Sequence, residues 1–75
     1  MKPNPKIYVD GAMLSAARIA ANLSIRDVAI RIKRNRGTIS KWEQGINQPS
    51  GEALMELVIL YGKSDFIQGR EEKAS

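Results

Sequence analysis

The stretch from Leu23 to Gly45, LSIRDVAIRIKRNRGTISKWEQG, carries the signals of two short helices joined by a tight turn. Ser24 followed three residues later by Asp27 is a near match to a capping box, which starts a helix at Ile25. Its inward face is Val28, Ala29 and Ile32. Lys33 and Arg34 make the turn, and Asn35 caps the next helix. That helix runs from Arg36 to Gln44, with Gly45 as its left-handed stop.

Working outward, Asp10 caps an earlier helix over 11–21, with Met13, Leu14, Ala17, Ala21 and, on the flank, Ile19 as its buried side. Asn22 is its left-handed stop. Downstream, Pro49 and Ser50 precede a helix over 51–61 whose core stripe is Leu54, Leu57, Val58 and Tyr61, and Gly62 ends it. Ser64 caps a last short turn holding Phe66 and Ile67. Residues 1–9, with Pro3 and Pro5, read as an extended arm, 10–68 as the folded domain, and 69–75 as a flexible charged tail.

The chain has 75 residues, and a chain of this size fills one core. Its aromatic residues are confined to Tyr8, Trp42, Tyr61 and Phe66, so the expected core is aliphatic and the fold class all-α. There is no cysteine and no histidine, which removes disulfides, thiolate chemistry, the usual zinc ligand sets and an imidazole base. No clustered carboxylates, nucleophile–base pair or glycine-rich phosphate loop is visible either, so neither an enzyme nor a cofactor is expected. The longest apolar run, Leu57 to Tyr61, is too short for a membrane span or signal-peptide core, and the expected compartment is the cytoplasm.

Charge is distributed unevenly. Residues 28–42 hold Arg31, Lys33, Arg34, Arg36 and Lys41 without one acidic residue, whereas the rest of the chain has seven basic and eight acidic groups. The whole positive excess therefore lies on the turn and the helix after it, an edge suited to a polyanion. At 100° per residue, Arg36, Gly37, Ser40, Lys41 and Gln44 share one face of that helix, and Thr38, Ile39 and Trp42 lie toward the other. One face packs and the other can read. A DNA major groove about 12 Å wide admits one such helix.

The stretch Leu14–Ile67 resembles the Cro/C1-type (XRE-like) helix-turn-helix repressors. The matching residues are Arg18, Leu23-Ser24, Val28-Ala29, Thr38-Ile39-Ser40, Trp42-Glu43-Gln44-Gly45, and Pro49 with Leu54 and Leu57. The resemblance implies a lambda-repressor-like bundle of four to five short helices that binds double-stranded DNA. It places Arg36, Gly37 and Lys41 at base-facing positions, beside Ser40 on the same face. Arg36 suits a bidentate pair with guanine, and Lys41 a guanine or a phosphate. Phosphate contacts are expected at Ser24 and Ile25, which open one helix, at Asn35, which opens the next, and at Asn47 and Gln48. Arg26 and Arg34 add electrostatic attraction. Arg18 and Glu43 match the family's internal ion pair, and Trp42 is expected in the core.

Two positions depart from the family pattern. Lys33 stands where glycine is usual at the turn, and Ile25 stands where glutamine is common, so affinity is expected to lean on main-chain contacts and the additional arginines. The expected function is a sequence-specific transcriptional regulator, in its leading form a repressor binding an inverted repeat as a homodimer. Met55 and Ile59 form a second apolar stripe, and the region of the fourth helix and the last turn is the favoured dimer surface. The alternative is a protein-interaction module or antitoxin, bound to a toxin or other protein, that keeps the scaffold with weak or no base readout.

Overall fold

Capping residues set the beginning of every helix. The computed structural model describes residues 6–70, with strand β1 (Lys6–Val9), helices α1 (Gly11–Ala20), α2 (Ile25–Ile32), α3 (Arg36–Gln44) and α4 (Gly51–Tyr61), and strand β2 (Ile67–Arg70). The Asp10 carboxylate accepts from Met13 N–H at 3.1 Å and opens α1. At α2 the capping box closes in both directions: Asp27 N–H donates to Ser24 Oγ at 3.0 Å, and Ser24 N–H donates to Asp27 Oδ2 at 2.9 Å. Asn35 Oδ1 and Ser50 Oγ cap α3 and α4 by accepting from Gly37 N–H and Ala53 N–H.

The helix ends are also local events. Asn22 takes a φ of 65° after α1, Gly45 one of 79° after α3, and Gly62 one of 71° after α4. Lys33 adopts φ 58°, ψ 48° at the end of α2, the left-handed geometry that glycine accepts more readily.

The four helices enclose one core made entirely of apolar side chains and Tyr61. Leu14, Val28, Ile39, Leu57 and Phe66 are fully buried, and Trp42 packs inside with them. α3 is the pivot, lying against both α1 and α2. Tyr61 and Phe66 meet edge to face, with ring centroids 6.0 Å apart.

Several expectations need correction. Phe66 and Ile67 do not form a last helical turn: a turn at Asp65–Phe66 leads into β2, and Gly69 and Arg70 belong to that strand rather than to a tail. β2 pairs antiparallel with β1 in the register Val9↔Ile67 to Lys6↔Arg70, so the near end of the arm is a strand whose Val9 enters the core. Residues 1–5 and 71–75 lie outside the described residues. Ile19, expected on the buried flank of α1, is 63% exposed. On α4 the buried line is Ala53, Leu57 and Tyr61, while Leu54 and Val58 are half-buried. Ala53 holds a fully buried position on this line, and Leu54 and Val58 pack against the core from beside it.

Candidate nucleic-acid interface

Burial of Ile39 and Trp42 sets the rotation of α3, and it leaves Arg36, Gly37, Lys41 and Gln44 exposed with Ser40 half-buried between them. The face expected to pack is thus buried at Ile39 and Trp42, and the face expected to read is open to solvent. Gln44 Nε2 donates to Ser40 Oγ at 2.7 Å, a bond along the exposed face that orients both side chains.

The first turns of α2 and α3 open onto one shallow cleft of about 710 Å³. Ser24, Ile25 and Arg26 line it from α2, and Asn35, Arg36, Gly37 and Ser40 line it from α3. Two helix N-termini therefore bring their positive dipole ends to the same concavity. A second open concavity of about 450 Å³ lies beside it, with Arg26, Arg34 and Arg36 around Ala29 and Ile30. Of these arginines, Arg34 is partly committed, since its Nη2 lies 3.9 Å from Glu56 Oε1 on α4. Lys41, Asn47 and Gln48 line neither hollow. Lys41 is one turn further along the α3 face, Asn47 is exposed in the loop beyond it, and the Gln48 amide is bonded to Val9.

The floor is held by Arg18 and Glu43. Arg18 Nε donates to Glu43 Oε2 at 2.7 Å and Nη2 to Oε1 at 3.2 Å, a two-pronged pair between α1 and α3. Its remaining nitrogen, Nη1, donates to Leu23 C=O at 2.9 Å. One guanidinium thus ties α3 to the segment that enters α2, and it also lines the main cleft. The Glu43 hydrogen bond holds the Arg18 pKa above its ordinary value. Asp27, close to the cleft, is held below the usual carboxylate range by the Ser24 backbone and side-chain hydrogen bonds, with smaller help from Arg31 and Arg26, so it stays ionised as a cap.

Two glycines acquire roles that residue type alone did not announce. A Cβ on Gly37 would stand 3.2 Å from Asn35 Oδ1, the atom that caps α3, so glycine leaves this cap unstrained. A Cβ on Gly11 would collide with the backbone carbonyl of Glu43, so α1 begins against the end of α3 at a distance only glycine permits. The Gln48–Val9 contact was likewise invisible in the sequence, because the partners are 39 residues apart.

Among the described residues no helix is long and apolar enough to cross a membrane. No curated protein matches the chain at a significant level. The family described as helix-turn-helix domain matches residues 11–65, which span α1 to α4 and the turn beyond. With two capped helices meeting at a tight turn and a basic face left open, the chain belongs to this helix-turn-helix family of DNA-binding proteins.

Proposed function

We propose that the protein is a sequence-specific transcriptional regulator of the Cro/C1 type, acting as a repressor that binds an inverted repeat as a homodimer. The observation that carries this reading is the shared cleft, where the N-termini of α2 and α3 converge beside an exposed basic helix face. In a major groove, Arg36 reads a guanine edge, Ser40 and Lys41 follow along the helix, and Gly37 allows close approach. Ser24, Ile25 and Asn35 offer helix N-termini to phosphates, and Arg26, Arg34 and Asn47 add contacts on the flanks.

Recognition of enough base pairs by so small a module calls for two copies on one operator. Met55 and Ile59 support a dimer surface on α4, being 64% and 76% exposed on one side of that helix. A lone large apolar side chain on a surface is ordinary, but two at i, i+4 form a stripe.

Selection of bound sequences from a random duplex library tests the reading. The expected product is one inverted repeat, bound about 10³-fold or more tighter than random duplex, with affinity falling as salt rises. Arg36→Ala is expected to cost roughly 1–3 kcal/mol and relax preference at one base pair, whereas Arg34→Ala weakens all duplexes alike. Enrichment of no sequence, or equal effects of both substitutions on selected and random DNA, refutes the assignment.

A further inference from the structure

The free edge of the terminal ribbon is occupied by a side chain from the loop between α3 and α4. Asp10 N–H donates to Phe66 C=O at 2.9 Å, and the register pairs Tyr8 with Gln68 and Val9 with Ile67. In an antiparallel ladder the bonded pairs alternate, so the bonds run through Asp10 and Tyr8, and Val9 turns its N–H and C=O away from β2. The Gln48 amide meets both groups. Val9 N–H donates to Oε1 at 2.7 Å, and Nε2 donates to Val9 C=O at 3.4 Å. The side chain thereby imitates the two bonds that a third strand would make.

Gln48 follows Asn47 directly, in a loop attached at its other end to α3: Ile46 N–H and Asn47 N–H both donate to Lys41 C=O, at 2.9 Å and 3.4 Å. Ser50, two residues on, caps α4. Asn47 thus lies between one anchor on the recognition helix and another on β1. A two-stranded ribbon is marginal alone, so bonds at its edge matter to it, and any coupling to the loop acts in both directions.

We propose that Gln48 is a positioning residue that couples the β1–β2 ribbon to the loop carrying Asn47, so that the ribbon sets how this loop meets a DNA phosphate. The proposal rests on the DNA-binding reading above and assigns Gln48 to the protein's own edge strand in place of the phosphate contact that the resemblance implies. Charge is not the means: the amide is neutral and spends its polar atoms on Val9.

The test uses the full chain with Gln48→Met, which keeps length and removes both bonds, Gln48→Glu, which keeps the acceptor for Val9 N–H, and Gln68→Pro, which removes a ladder donor opposite Tyr8. By NMR, Gln48→Met is expected to speed Val9 amide exchange about two- to tenfold and to displace the Asn47 amide resonance, with Gln48→Glu restoring both toward the parent. Gln68→Pro, with no contact to the loop, is expected to move Asn47 in the same direction. Gln48→Met is expected to weaken duplex binding about fivefold, and to have little further effect in the Gln68→Pro background. An Asn47 resonance indifferent to Gln68→Pro, or a Gln48→Met loss of equal size in both backgrounds, overturns the coupling. Should the parent bind no duplex, the DNA reading fails separately, and the exchange and resonance measurements still decide whether ribbon and loop are linked.

Discussion

Replacing Arg18 by methionine should be among the most destabilising single changes in this protein. The guanidinium makes three hydrogen bonds, two to Glu43 and one to Leu23 C=O, and the side chains of Arg18 and Glu43 are only 14% and 8% exposed. Methionine fills much of the same volume, so the loss is mostly electrostatic. It leaves the Glu43 carboxylate and the Leu23 carbonyl without their donor in a half-buried site at the floor of the cleft. Breaking a buried pair by removing one partner costs about 3–5 kcal/mol, and the residual exposure here favours the lower end, about 3 kcal/mol. For a domain of this size that corresponds to a fall in Tm of roughly 12–24 °C. Urea denaturation at pH 7 reads the change directly, with the midpoint moving and the slope preserved. The double variant Arg18→Met with Glu43→Leu removes both charges and is expected to recover much of the loss, because an apolar replacement no longer strands a carboxylate. The reasoning is refuted if Arg18→Met costs less than about 1 kcal/mol, or if the double variant loses the full sum of the two single losses.

Gly11→Ala should destabilise by about 1–3 kcal/mol on thermal unfolding, because its Cβ meets the immovable Glu43 backbone; an unchanged Tm would mean α1 can shift freely. Lys33→Gly should raise stability by about 0.5–1 kcal/mol by relieving the left-handed lysine, and a lower urea midpoint would contradict that strain argument. Tyr61 has its pKa pushed up to about 12 by burial, aided by the nearby Glu43 charge, so the folded state keeps the phenolic proton after the unfolded chain, titrating near about 10, has lost it. Stability should accordingly fall by on the order of 1–2 kcal/mol as pH rises from about 10 to 12, with allowance for solvent at the ring edge. Tyr61→Phe should remove that part of the pH dependence, and an identical slope in the variant would exclude Tyr61 as its source.

The parts of this protein legible in its sequence are those decided within about four residues. Ser24 with Asp27, Asn35, Ser50, Gly45 and Gly62 each act on backbone groups one turn away, so helix starts and stops follow from residue identity and short spacing. The face of α3 that stays open was readable for the same reason, since Ile39 and Trp42 demand burial and helical geometry puts Arg36 and Lys41 opposite. The Cro/C1 resemblance pointed to the Arg18–Glu43 pair, which the structure contains.

What the tertiary structure alone decided involves partners far apart along the chain. β1 and β2 pair across nearly the whole length of the domain, and neither strand is long or alternating enough to announce itself. Phe66, expected on a helical turn, is fully buried and leads into β2. Gln48 closes the edge of that ribbon, Gly11 is required by a carbonyl on α3, and Ala53 rather than Leu54 is fully buried on α4. Local hydrogen bonds and helical periodicity are written in neighbouring residues, whereas close approach and strand pairing depend on which distant segments the shared core brings together.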